Sequence, residues 1–154
     1  MTRMFCWTCL CLFVLPVAAE DKPVPSNLPD PATLVTDSAQ LPVDKSTWGS
    51  LQWLCNDKLS PGALQTVGLA VLLPGQRNPV HFHPNCEEVL YMLSGQGQHT
   101  LDGRVVELKA GMTIRIPAGV KHNLINTGKE PIRTVMAFSS GDRKTVFLDQ
   151  PSTK

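Results

Sequence analysis

The residues best suited to chemistry are three histidines and one glutamate in two short segments. His81 and His83 are one residue apart, so in an extended strand both imidazoles leave the same face. Glu88 follows beyond a Pro-Asn turn and can return a carboxylate oxygen to the same point. His122 comes directly after a Pro-Ala-Gly turn. Three imidazole nitrogens and one carboxylate predict a site for one divalent ion, Fe, Mn, Ni, Co or Zn, rather than Ca or Mg.

The ligand set also indicates what such an ion would do. A closed structural zinc site usually contains cysteines, and none is present in this set. Four protein ligands around an octahedral ion would leave positions open for water or a substrate, which favours catalysis or ligand capture. An ion with one carboxylate ligand keeps a net positive charge. The partner is therefore expected to be a small organic molecule that is anionic or chelating.

The elements that must position these residues are short strands. After Trp48, runs of aliphatic and β-branched residues are interrupted by Gly, Pro, Asn and Asp about every ten residues, which is all-β spacing. Asp102-Gly103 predicts a tight hairpin turn. No long amphipathic helix and no internal repeat is evident, so one sandwich or barrel is expected. The predicted strands are 50–55, 64–73, 88–93, 96–101, 105–108, 113–116, 121–126, 132–138 and 145–148.

These spacings resemble the two motifs of the cupins. The first motif matches at Gly75, His81, His83, Glu88 and Gly95, and the second at Gly111, Pro117, Gly119, His122 and Asn126. The resemblance covers roughly residues 48–148. It implies a single-domain cupin β-barrel, a jelly-roll-like double-stranded β-helix, with His81, His83, Glu88 and His122 as metal ligands. Glu87 competes with Glu88, but the motif's six-residue interval before Gly95 selects Glu88.

The chain is expected to divide into four parts. Residues 1–19 have the basic start, apolar run and small-residue cleavage site of a secretory signal peptide, which predicts a secreted or periplasmic protein. A proline-rich arm (20–46), the cupin domain (47–149) and a short tail (150–154) follow. Removal of Arg3 with the signal leaves 13 basic against 13 acidic residues, which gives no electrostatic basis for binding nucleic acid or, after cleavage, a membrane.

Two cysteines remain after cleavage, Cys55 and Cys86. In an oxidising compartment they could form a disulfide, or they could lie far apart, with Cys55 buried and Cys86 in a loop. The sequence leaves both possibilities open.

Several further residues are candidates for the pocket. His99 could reach its mouth as a catalytic acid–base group, or it could point outward into solvent. One of Tyr91 and Met92 is expected to line the barrel interior. Three arginines could pair with a substrate carboxylate, although strand alternation does not decide which of them points inward: Arg77, Arg115 and Arg133.

Two functions follow from the resemblance. The ligand set is similar to that of oxalate decarboxylases, quercetin dioxygenases and several isomerases, which implies a metalloenzyme. The alternative is a non-catalytic, zinc-dependent carboxylate-binding protein, because Cys86-Glu87-Glu88-Val89 resembles a segment of plant auxin-binding proteins, with a spacer after His83 that is one residue longer. A third possibility is an ion that only stabilises the barrel. The resemblance also implies a homodimer.

Overall fold

The computed structural model describes residues 29–149. The predicted signal peptide, the first part of the predicted arm (20–28) and the tail (150–154) lie outside this range. Within it, no helix is long and apolar enough to cross a membrane.

The described chain is almost entirely β-structure, as predicted. Two short 3₁₀ helices, Pro31–Leu34 and Ser38–Gln40, precede the strands. The strands are β1 (Asp44–Ser46), β2 (Gly49–Cys55), β3 (Thr66–Leu72), β4 (His81–Phe82), β5 (Glu88–Ser94), β6 (Gln96–Leu101), β7 (Arg104–Lys109), β8 (Thr113–Ile116), β9 (His122–Asn126), β10 (Ile132–Phe138) and β11 (Val146–Phe147). All nine predicted strands form, and β1 and β4 are additional.

The strands build two antiparallel sheets around one cavity. The first sheet has the order β1-β2-β3-β10-β5-β8, and the second has the order β11-β4-β9-β6-β7. Side chains from both sheets line the cavity. This arrangement confirms the predicted cupin β-barrel.

Alternation along β5 decides which side chains enter the barrel. Glu88, Leu90 and Met92 are buried, whereas Tyr91 is 41% exposed on the outer face. This is the period of two expected of a strand with one face on a core. Met92 is therefore the one of the pair Tyr91 and Met92 that lies inside the barrel.

Gly97 on β6 packs closely against the neighbouring strand β9 and against β10 of the other sheet. A Cβ atom at this position would lie 2.2 Å from the carbonyl oxygen of Ile125 and 2.8 Å from Cδ1 of Ile132. Ile132 is fully buried. A glycine is therefore required here for close packing rather than for an unusual backbone conformation.

The described part of the predicted arm is ordered against the barrel. Asp44–Ser46 pairs with β2 as an edge strand, and Nε2 of Gln52 donates hydrogen bonds to the carbonyl oxygens of Ser38 and Leu41. Cys55 and Cys86 are both free thiols. Cys86 lies in a loop, as expected, but it is buried, whereas Cys55, which was expected to be buried, is half-buried.

Candidate metal centre

Three structural elements bring the four predicted ligands together. His81 on β4 lies directly opposite His122 on β9, and His83 follows β4 by one residue. Glu88 begins β5 in the other sheet. One potential ligand atom from each of the four residues lies within 4.8 Å of the others. Glu87, the competing carboxylate, faces away and pairs with Arg115 at 2.5 Å.

Main-chain carbonyls orient all three histidine rings. Nδ1 of His81, His83 and His122 lies 2.8 Å from the carbonyl oxygens of Pro79, Lys144 and Val120, respectively. A carbonyl only accepts hydrogen bonds, so each Nδ1 must carry the proton in these contacts. In its neutral form each ring therefore presents an Nε2 lone pair, the state required of a metal ligand.

These lone pairs meet the carboxylate of Glu88. Oε2 of Glu88 lies 3.2 Å from Nε2 of His122 and 3.3 Å from Nε2 of His83. The latter nitrogen is buried and has no partner in hydrogen-bond geometry among the described residues. Two acceptors at this distance repel each other unless a proton or a cation lies between them. The four residues thus fit a divalent ion, which His81, His83, Glu88 and His122 would hold.

Burial and charge shift the pKa values of this cluster. Burial alone would raise the pKa of Glu88, but the hydrogen bonds and positive charge that His122 and His83 supply when Nε2 also carries a proton outweigh it and lower the pKa to about 2. Burial, together with the neighbouring His122, lowers the pKa of His81 to about 4. At neutral pH the carboxylate is ionised and the His81 ring is neutral, so protons compete weakly with a metal ion for these two side chains.

His99 lies inside the barrel, so the outward alternative is wrong. It is 1% exposed and lines the cavity, where its ring stacks on His122 with centroids 5.7 Å apart. Its Nδ1 has no hydrogen-bond partner among the described residues. Burial and the neighbouring His122 lower the pKa of His99 to about 4. A catalytic role for His99 stays a prediction.

The lowered pKa values of His81 and His99 predict an acid-sensitive metal-free protein. Both groups bind protons near pH 6.5 once unfolded but only near pH 4 in the barrel. The unfolded chain therefore binds more protons between these limits. As the pH is lowered through this range, the unfolding free energy should decrease by up to about 1.4 kcal/mol per pH unit for each of the two histidines. Urea titrations of chelator-treated protein at pH 7, 5.5 and 4.5 measure this slope. His99→Leu should reduce it, and equal stability at all three pH values would contradict the prediction.

The ligand cluster lies in the wall of a cavity of about 290 Å³. Most of the other lining side chains are apolar, among them Trp48, Leu72, Leu90, Leu124, Met136 and Phe138. None of the three arginines considered from the sequence lines it. Arg77 pairs with Asp149 at 2.8 Å, Arg115 pairs with Glu87, and Arg133 is exposed on the outer face of β10.

Arg143 is the arginine that lines the cavity, a position that its sequence context does not predict. It lies in the loop between β10 and β11, within the polar run Asp142-Arg143-Lys144. Such a run indicates a solvated loop. Only the packing of Arg143 on aromatic rings from β2 and β10 turns it inward.

Comparison with known proteins agrees with this geometry. Residues 68–138 match the cupin domain family. Over 105 residues the chain is 30% identical to polyketide synthase CurC of Streptomyces cyaneus, which covers 68% of both chains. The chain belongs to the cupin family. This cupin is also 29% identical over 127 residues to the dimethylsulfoniopropionate lyase DddW of Ruegeria pomeroyi, covering 79% of this chain and 82% of the lyase.

Among solved structures, this cupin resembles the oxalate decarboxylase of Bacillus subtilis. The TM-score is 0.65 at 25% identity, over 72% of this chain and 31% of the decarboxylase. The chain thus spans about a third of that enzyme, and 47% of germin-like protein subfamily 2 member 1 of Arabidopsis thaliana, with which it shares 33% identity.

Proposed function

We propose that this cupin is a metal-dependent enzyme that acts on a small anionic or chelating organic molecule. The observation that carries the proposal is the short distance between hydrogen-bond acceptors in the wall of a largely apolar cavity. Oε2 of Glu88 lies 3.2–3.3 Å from Nε2 of His83 and of His122. Burying a carboxylate beside two imidazole lone pairs is costly without a cation. A purely structural ion would not require an adjoining cavity for a guest.

Each part of the cavity has a role in this proposal. The four ligands would hold the ion, which when bound would polarise an oxygen donor of the substrate. The apolar walls exclude water and leave few orientations for a guest. His99 can accept a hydrogen bond at its unpartnered Nδ1 if that nitrogen carries no proton.

The relatives add to the classes of reaction to screen. The oxalate decarboxylase of Bacillus subtilis has Mn(II) centres. The Ruegeria pomeroyi relative is a dimethylsulfoniopropionate lyase. Lyase reactions of small acids therefore join the decarboxylation, dioxygenase and isomerase reactions expected from the sequence. Fold and ligands alone do not select one of them.

A zinc-dependent carboxylate-binding protein is the second candidate. Burial and the neighbouring His122 lower the pKa of His99 to about 4, so at neutral pH this ring can act as a base but not as a charged proton donor, which removes one acid–base role that an enzyme would use. The identity of the bound metal separates the candidates, since zinc suits binding and iron or manganese suits redox chemistry or decarboxylation.

The same proposal includes export of the protein and its assembly as a homodimer. A cleaved signal peptide at residues 1–19 would deliver the protein to the periplasm or the exterior. A homodimer would cover the apolar outer face of β5, where Val89, Tyr91 and Leu93 are 36–48% exposed. Size-exclusion chromatography with light scattering measures the mass directly.

The proposed function is tested by metal analysis and turnover. We expect protein purified without chelator to hold about one ion per chain, and His81→Ala/His122→Ala to hold almost none. Oxygen uptake and carbon dioxide release from small acids including oxalate, together with dimethyl sulfide release from dimethylsulfoniopropionate, measure turnover. Full metal content in the double variant would overturn the ligand set. Stoichiometric zinc without turnover would favour the binding protein.

A further inference from the structure

Arg143 places a second positive charge in the wall of the cavity. Its Cζ atom lies 4.4 Å from the centre of the Trp53 ring and 4.9 Å from that of Phe138. Phe138 in turn packs edge-on against His83, with ring centres 5.0 Å apart. One aromatic ring therefore separates the guanidinium from a predicted metal ligand.

This guanidinium has no anionic partner among residues 29–149. Nη1 donates a hydrogen bond to Oγ1 of Thr145, which is neutral, and Arg143 takes part in none of the ion pairs of the described chain. The other arginines that the sequence singled out are paired or exposed. Burial lowers the pKa of Arg143, although an arginine stays charged in any ordinary environment. A half-buried cation of this kind gains most from an anion that arrives with a ligand.

The cavity contains few other charges. Glu88 is the carboxylate among its lining residues, and it belongs to the predicted metal centre. A divalent ion together with Glu88 would leave one positive charge, and Arg143 adds a second. A ligand with two negative charges would balance both.

We propose that Arg143 binds a carboxylate of the substrate and so selects small dicarboxylates, or acids that carry a second anionic oxygen donor. The second donor would face the predicted metal centre. This inference rests on the proposed function in needing a bound ion, but it is independent of the reaction. The planar fork of the guanidinium suits a carboxylate because it can donate two parallel hydrogen bonds. Stacking on Trp53 and Phe138 holds that fork in place before the ligand arrives.

Binding of dicarboxylates to the Co(II)-loaded protein tests the inference. Calorimetry gives the Kd for oxalate, malonate, succinate and glutarate, and acetate serves as the probe with a single carboxylate. We expect at least one dicarboxylate to bind about tenfold or more tightly than acetate. Arg143→Ala should raise the Kd of that dicarboxylate by about ten- to a hundredfold and the Kd of acetate by less than about twofold. Only the dicarboxylate loses a charge-assisted hydrogen bond.

Matched variants separate recognition from structure. Arg133→Ala removes the same charge from an exposed position and should leave every Kd unchanged. Arg143→Lys keeps the positive charge but lacks the planar guanidinium. Its Kd for the dicarboxylate should lie between those of wild type and Arg143→Ala. If Arg143→Ala does not fold, Arg143→Lys and Arg143→Gln carry the comparison. The visible spectrum of Co(II) shows whether each variant keeps the metal site intact.

The outcomes distinguish this inference from the proposed function. Failure of the wild type to bind Co(II) would overturn both. Intact Co(II) binding with equal dicarboxylate affinities in wild type and Arg143→Ala, or with no preference for any dicarboxylate over acetate, would overturn the role of Arg143 alone. Turnover of a substrate that lacks a carboxylate would leave the proposed function standing in that case.

Discussion

Glu88→Gln is expected to weaken metal binding by about a hundredfold or more and to abolish metal-dependent activity. The substitution removes the one negatively charged ligand and keeps the size of the side chain. It should also have an opposite effect on the metal-free protein. The glutamine amide can donate a hydrogen bond to Nε2 of His122 or His83, each of which now faces a carboxylate oxygen at 3.2–3.3 Å. The metal-free variant should therefore be more stable than metal-free wild type, by about 1 kcal/mol.

Competition with a chromogenic chelator measures the affinity, and thermal unfolding with and without metal measures both stabilities. Glu87→Gln is the matched control, because the neighbouring carboxylate lies outside the cluster in an exposed pair with Arg115. It should change metal affinity by less than about twofold and stability by less than about 0.5 kcal/mol. Wild-type metal affinity in Glu88→Gln would show that this carboxylate is not a ligand.

Gly97→Ala is expected to cause a large loss of stability by adding a single methyl group away from the metal centre. The new Cβ would lie 2.2 Å from the carbonyl oxygen of Ile125, a backbone atom that moves only if β6 and β9 separate. We expect the unfolding free energy to fall by about 3 kcal/mol, a strong case of overpacking. Tm should fall by about 10 °C or more.

Gly128→Ala provides the control for this prediction. Like Gly97, Gly128 has no positive φ, but its nearest neighbour would be the flexible Cγ of Gln96 at 3.2 Å. Gly128→Ala should lower the unfolding free energy by less than about 1 kcal/mol. Differential scanning calorimetry on both variants measures the difference, and equal Tm values would show that β6 and β9 adapt more freely than the packing indicates.

The features that the sequence predicted well follow from local periodicity. Period-two alternation places His81 and His83 on one face, and the resemblance to the first cupin motif selects Glu88 over Glu87 by the interval before Gly95. Turn residues at regular spacing predict nine strands without tertiary information. These inferences succeed because each depends on residues within a few positions of one another.

The features that were missed depend on contacts between distant segments. The pairing of β1 with β2 is one, because nothing in the proline-rich run before residue 47 marks a strand. The inward position of His99 is another, since it depends on which face of β6 the barrel encloses. Arg143 is the clearest case, because its direction is set by stacking on Trp53, about ninety residues earlier in the chain. No local pattern contains that information.

The carbonyl groups that orient the three histidine rings belong to the main chain at Pro79, Val120 and Lys144. A main-chain carbonyl is the same whichever side chain its residue carries. Substitutions in the loop that holds Arg143 and Lys144 can therefore change what the pocket recognises without disturbing the rings, provided the backbone path is kept. This separation makes residues 142–144 a natural target for engineering or evolving new substrate preferences on an unchanged centre.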